Sequence, residues 1–237
     1  MKRYFLAPSD FAWLLDECPR CWWLKLRQLY RPRESQPAVF RHIDAGQKEA
    51  YNVEALRSFG IDAKAIVPKG RLLSLPIEFE EYGVSFSIKG YLDEFVELDD
   101  GTHLILDFKT TVPTEKTLTK FANQLHAYAT ALERPAEGQP FEVSALGLLT
   151  FDPSVGKFTR NGSGWCAQTG HEAYLPIDLD RTRFFEFLDQ CASLAASDDV
   201  PASGSLCQTC IHAFEVNRML SHLAARRLAL TPSEAVA

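Results

Sequence analysis

Long apolar runs are missing from this chain. Nothing in its 237 residues approaches the ~20 consecutive apolar residues that a membrane-crossing helix takes. The first residues, Met1-Lys2-Arg3-Tyr4-Phe5-Leu6-Ala7-Pro8, also lack the apolar stretch of a signal peptide, so the expected location is the cytoplasm. A surplus of positive charge is missing too. The net charge of -6 does not advertise a nucleic-acid binder, although net charge says little about local fields. Between Met1 and Arg41 the basic residues Lys2, Arg3, Arg20, Lys25, Arg27, Arg31, Arg33 and Arg41 outnumber the acids Asp10, Asp16, Glu17 and Glu34. Such a stretch reads either as an arm that touches phosphates or as a solvated helix face. There is no internal repeat. A chain that is 46% hydrophobic and 24% charged, at this length, is expected to bury one substantial core as a single domain spanning residues 1–237.

Cysteine is scarce but not scattered. Of Cys18, Cys21, Cys166, Cys191, Cys207 and Cys210, four fall into two C-x-x-C pairs near opposite ends of the chain. In a cytosolic protein such pairs point to metal rather than disulfides. Four thiolates suit either tetrahedral Zn²⁺ or an iron–sulfur cluster. A shared metal would clip the N-terminal helices to the C-terminus and close nearly the whole chain into a loop. Cys166 and Cys191 have no metal-ligand spacing and read as ordinary small residues.

The element pattern divides the chain into a helical part (1–60), a core (70–178) and C-terminal helices carrying the second cysteine pair (179–237). Ser9 reads as the N-cap of a first helix bearing Phe11, Leu14 and Leu15. Pro19 opens a second, with Trp22, Trp23, Leu26 and Leu29 at helical spacing. Pro32 and Pro37 bracket a connection. A long helix is expected from Val39 to Phe59, ended by Gly60. Alternation then marks strands at residues 73–80 and from Val84 to Leu98. Asp99-Asp100-Gly101 is a hairpin turn, and His103 to Phe108 is a nearly continuous apolar strand of the kind buried in mid-sheet. A helix follows over 115–132, then a strand over 143–151, a loop or irregular hairpin over 152–169, and a short strand over 172–177. Helices from Asp180 and over 216–230 complete an α/β chain with a mixed central sheet flanked by helices.

Chemistry concentrates around the hairpin. Gly90-Tyr91-Leu92-Asp93 ends one strand and Asp107-Phe108-Lys109 sits near the end of the next. The turn makes them antiparallel neighbours, so Asp93 and Asp107 can meet across the hairpin. Asp107 and Lys109, two apart, leave the same face of the strand. Two converging carboxylates provide hard oxygen ligands for Mg²⁺ or Mn²⁺, and an adjacent lysine can orient water or stabilise charge on a phosphate. Taken alone, D-x-K describes a surface ion pair equally well.

Three motifs in order carry a resemblance. Gly90-Tyr91-Leu92-Asp93 resembles a G-x-[ILV]-D motif, Asp107-Phe108-Lys109-Thr110-Thr111 a D-[FY]-K-T motif, and Gln124-Leu125-His126-Ala127-Tyr128 a Q-x-x-x-Y helix. Together they resemble the RecB-like branch of the PD-(D/E)XK nuclease superfamily, and imply its restriction-endonuclease-like mixed sheet flanked by helices. The resemblance implies that Asp93, Asp107 and the backbone carbonyl of Phe108 hold Mg²⁺ or Mn²⁺ and that Lys109 serves the attacking water. Gln124 and Tyr128, four apart and so on one helical face, would support the site or touch the substrate, which would be DNA in single strands or with free ends. The branch carries a His or Glu on an upstream helix. Here Gly46 is followed four residues later by Ala50, leaving Glu49 first, then Asp44 and His42, as substitutes. Without that ligand the chain could be a non-catalytic binding module that kept the fold and the cysteine site, or a zinc-stabilised structural component.

The stretch ending Glu17-Cys18-Pro19-Arg20-Cys21-Trp22-Trp23 resembles the N-terminal C-P-R segment of iron–sulfur members of the branch, of AddB-type and CRISPR-adaptation kinds. That implies a 4Fe–4S cluster on Cys18, Cys21, Cys207 and Cys210. Those families take one ligand from the N-terminal segment and three from the C-terminal end. The two-and-two division here keeps Zn²⁺ in contention. His103, His126, His171 and His212 share no spacing and read as structural, with His212 a fallback ligand beside Cys210. Trp22 and Trp23 read as packing around the cysteines rather than as base-stacking platforms.

Overall fold

The structure, a computed structural model, describes residues 1–12, 18–28, 38–160, 162, 164 and 166–230. Within these, the side chains of 38, 40, 41, 44, 69, 93, 94, 166 and 224–230 are not described. The expectations placed on Leu14, Leu15, Leu29, the Pro32–Pro37 connection and the tail beyond Leu230 lie outside the described residues.

The chain opens with a strand where the sequence suggested only helix or a basic arm. β1 (Lys2–Leu6) pairs in parallel with the start of β4 (Val84–Leu98), from Lys2↔Val84 to Leu6↔Ile88. Tyr4 and Leu6 turn into the core, and Arg3 donates to Ser87 Oγ at 2.7 and 3.0 Å. This segment is therefore part of the sheet and not a free arm. A helical turn, α1 (Pro8–Asp10), follows, capped by Ala7 and not by Ser9; Asp10 reaches back to accept the Ala7 N–H at 3.2 Å. α2 (Pro19–Leu26) does begin at Pro19, where the missing N–H costs nothing, and Lys25 ties it to Asp10.

The single long helix expected over 39–59 is two. α3 (Ala38–Ala50) ends before Asn52, whose side chain accepts the Ala55 N–H at 2.9 Å and starts α4 (Val53–Ser58). Gly60, at φ +79°, closes α4 as the left-handed position there requires. β2 (Ala63–Leu73) starts ten residues before the strand read from the sequence, and β3 (Ile77–Phe79) is only three residues long.

β4 organises the sheet. Its first part pairs with β1 and β3, and its later part runs antiparallel to β2, from Leu73↔Lys89 to Ala63↔Leu98. After the Asp99-Asp100-Gly101 turn, with Gly101 at φ +85°, β5 (His103–Thr110) returns antiparallel to β4. The helix α5 (Glu115–Glu133) crosses over to β6 (Val143–Asp152), parallel to β5, and β9 (His171–Ile177) closes that side antiparallel to β6. The mixed sheet has the path β1-β4-β5-β6-β9. The 152–169 segment holds a small hairpin of β7 (Phe158–Arg160) and β8 (Cys166–Gln168). α6 (Arg181–Ala196) packs on the sheet, and α7 (Gln208–Leu230) begins eight residues earlier than the sequence suggested.

Strand alternation sorts β5 between two cores. Ile105 joins Phe86, Ile88, Phe95, Phe121, Leu125 and Phe184 on one face. Leu104, Leu106 and Phe108 join Tyr51, Leu56 and Leu149 on the other. Asp107 and Lys109 share the parity of Ile105, and so the side on which α5 packs.

Candidate active site and four-cysteine centre

The hairpin strands separate where the chemistry lies. The described ladder between β4 and β5 consists of Val96↔Leu104 and Glu97↔His103. Beyond it β4 stays with β2 while β5 stays with β6 as far as Thr110↔Phe151. Continued for three residues, the hairpin register sets Asp93 opposite Asp107 at this fork. The side chain of Asp93 lies outside the described ones.

Asp107 follows the buried run Leu104–Leu106 and is itself half-buried. Lys109 Nζ lies 2.6 Å from its Oδ2. That oxygen is sealed from solvent and, among the described residues, receives no hydrogen bond beside the lysine charge. The ammonium is held from the other side by the ring of Phe121, 4.8 Å away. Phe121, Gln124, Leu125 and Tyr128 recur at helical spacing, so α5 presents them on one face. Gln124 is 4% exposed and its Oε1 has no partner among the described residues, while Tyr128 is half-buried beside it. A buried carboxylate oxygen short of donors among the described residues is chemistry that fits a hard divalent cation.

Gly90 of the first motif has a packing reason. A Cβ there would stand 2.8 Å from Cδ and 3.2 Å from Cγ of Pro8, so α1 rests directly on the β4 backbone three residues before Asp93. Phe108 stacks on Tyr51 at 5.2 Å on the opposite face, and the Tyr51 hydroxyl donates to Glu172 at 2.5 Å. Burial, with the Glu172 carboxylate second, pushes the Tyr51 hydroxyl pKa up, so it stays protonated.

On α3, Glu49 and His42 are exposed, and no contact to Asp107 or Lys109 joins them among the described residues; the Asp44 side chain is not described. Among its described side chains, the polar one that α3 buries is Gln47, 8% exposed, whose Nε2 has no partner among the described residues. Sequence reasoning passed over it. The available signal was its spacing of four from Tyr51, which puts both on the face turned to β5.

The cysteines converge as their spacing predicts. Sγ atoms of Cys18, Cys21, Cys207 and Cys210 all lie within 4.8 Å of one another. Cys18 caps α2, Cys207 precedes α7, and the Cys207–Cys210 pair thus opens a helix just as the first pair does. The Gly204 N–H donates to Cys18 Sγ at 3.3 Å. Burial resists ionisation of Cys18, but the Gly204 and Cys21 backbone groups and then the Cys210 and Cys21 thiols outweigh it and lower the thiol to about 7. Burial, followed by the neighbouring thiols, pushes Cys21 up. Four sulfurs so close can all be thiolates only around a cation, so this set fits a metal.

Around this centre Arg20 donates to the Pro201 carbonyl at 2.9 Å and Trp23 to that of Ser197 at 3.0 Å, with Arg27 stacked 3.8 Å over the Trp23 ring. Trp22 and Trp23 are buried, as their packing role predicts, and Cys191 is a core residue. His212 is exposed and outside the cluster.

A family model for the PD-(D/E)XK nuclease superfamily matches residues 23–213, and the chain belongs to that superfamily. The first cysteine pair lies just ahead of the matched range. Among solved structures, that of SSO0001 is similar at 15% identity and a TM-score of 0.45, covering 81% of this chain and 76% of that one. No curated protein matches.

Proposed function

We propose that the chain, acting as one domain, is a Mg²⁺- or Mn²⁺-dependent DNA nuclease of the RecB-like branch, working on single strands or free ends in DNA repair or defence. The observation that carries this reading is Asp107 Oδ2, buried, without a hydrogen bond among the described residues and 2.6 Å from Lys109 Nζ in a member of a nuclease superfamily. Asp93, Asp107 and the Phe108 carbonyl would hold the ion, which when bound supplies Lewis acidity at the phosphate and a water of lowered pKa. Lys109 orients the attacking oxygen and offsets negative charge growing on the phosphate. Its position between Asp107 and the Phe121 ring keeps the ammonium from wandering. Gln124 brings an acceptor with no partner among the described residues, available to the substrate strand, and Tyr128 stands one turn further along. Glu49 is assigned a role at the edge of the site, through α3.

The test of the substrate reading compares linear and covalently closed circular single-stranded DNA in Mg²⁺ or Mn²⁺. Linear DNA is expected to be shortened progressively while circles persist. Circles opened as fast as linear strands are shortened would refute the end requirement.

A second reading, a nucleic-acid- or partner-binding module without catalysis, draws on one observation: among its described side chains α3 buries the amide of Gln47 and leaves Glu49 in solvent. Tight DNA binding without cleavage in either metal would favour it.

A further inference from the structure

The spacing of the sulfurs limits what can stand between them. Cys18–Cys210, Cys21–Cys207 and Cys21–Cys210 are each separated by 3.6 Å, and every pair of the four falls within 4.8 Å. A single tetrahedral zinc ion with Zn–S bonds of about 2.3 Å sets its four sulfurs about 3.8 Å apart. A 4Fe–4S cluster ends each thiolate on a different iron of a cube, with inorganic sulfide at the alternate corners. Its cysteine sulfurs therefore stand apart by an iron–iron separation widened by two diverging bonds, farther than the 4.8 Å that bounds every pair here. Four sulfurs in near contact enclose one ion and leave no space for four irons and four sulfides.

We propose that Cys18, Cys21, Cys207 and Cys210 hold one tetrahedral zinc ion and not the 4Fe–4S cluster that the family resemblance implies. The division of ligands agrees. Two C-x-x-C pairs, each at the start of a helix, are the paired knuckles that structural zinc sites use. The Gly204 N–H to Cys18 Sγ bond adds a donor of the kind that offsets thiolate charge around such an ion. Zinc has no redox chemistry. The ion itself therefore takes no part in electron transfer, and the centre acts as a structural clip between α2 and α7. This inference does not depend on the nuclease reading.

The test is elemental analysis of the full chain, expressed with both iron and zinc in the medium and purified without oxygen, so that a labile cluster is not lost. About one zinc per chain, no acid-labile sulfide and no sulfide-to-iron absorption are expected. Refolding with Co²⁺ in place of zinc is expected to give the intense visible bands of a tetrahedral thiolate site. Cys207→Ser is expected to lose most of the metal while Cys191→Ala keeps it. Iron and acid-labile sulfide in matching amounts of about four per chain would overturn the proposal, as would a folded chain with no metal.

Discussion

A glycine and a lysine show how single residues fix this site. Gly90 is present for lack of a side chain, since Pro8 occupies the place where a Cβ would go. Gly90→Ala is expected to destabilise the fold by about 1–3 kcal/mol, the usual cost of overpacking a rigid contact. Urea unfolding would read this as a lower midpoint at unchanged slope, and an unchanged midpoint would show that α1 does not rest on β4 as described. Lys109 is held by one carboxylate and one ring, so its position is set by Asp107 two residues back and Phe121 on α5. At this scale the sequence was informative. Asp107-Phe108-Lys109 and the Gln124–Tyr128 pair are local patterns whose geometry follows from strand and helix periods alone. Gln47 was not legible. Its burial depends on how α3 turns against β5, and amide chemistry gave no reason to prefer it to Glu49.

At the scale of elements, one imidazole ties α5 to the start of α6, beside the Arg181–Glu133 ion pair. His126 Nε2 accepts the Asp180 N–H at 3.0 Å, so its proton sits on Nδ1 and is given to the Ala122 carbonyl at 2.8 Å. The ring also stacks on Phe184, 5.5 Å away. Burial, more than any neighbour, lowers its pKa below the ordinary 6.5. A histidine kept neutral in the folded state while the unfolded chain takes up a proton contributes stability that is complete above pH 6.5 and lost as pH falls below it. Urea midpoints are expected to drop between pH 7 and pH 5.5, and less steeply in His126→Gln. Equal pH dependence in the two proteins would contradict this assignment. Element boundaries were legible at Pro19, Gly60, Asp99–Gly101 and Asp180, but not at the first helix, where Ala7 and not Ser9 is the cap. The break at Asn52 was announced by its own cap and obscured by apolar residues running on to Phe59. β1 was not legible, because five residues gain strand character only by pairing with Val84–Ile88, some eighty positions away.

For the molecule as a whole, two features define the architecture: a sheet that forks between β4 and β5, and a cluster of four cysteines that brings the two ends of the chain together. The fork lies where β4 keeps β2 and β5 keeps β6 beyond the described Val96–Leu104 and Glu97–His103 pairs, and the hairpin register extended from those pairs would set Asp93 opposite Asp107. A metal held there would link Cys18 to Cys210 across 192 residues of sequence. Closing a loop of that length removes about 5 kcal/mol worth of freedom from the unfolded chain in the simplest entropy treatment. The convergence of the four cysteines was legible from their spacing; the distances between the sulfurs, on which the zinc proposal rests, became readable only in the structure. The central claim, that Asp107 and Lys109 cleave DNA with a divalent ion, is tested most directly by incubating labelled single- and double-stranded DNA in Mg²⁺ or Mn²⁺ with wild type, Asp107→Ala and Lys109→Ala. Cleavage by wild type, falling at least about 100-fold in both variants while folding is kept, is the expected result. A folded, metal-loaded wild type that cuts no strand, or variants that cut as well as wild type, would contradict it.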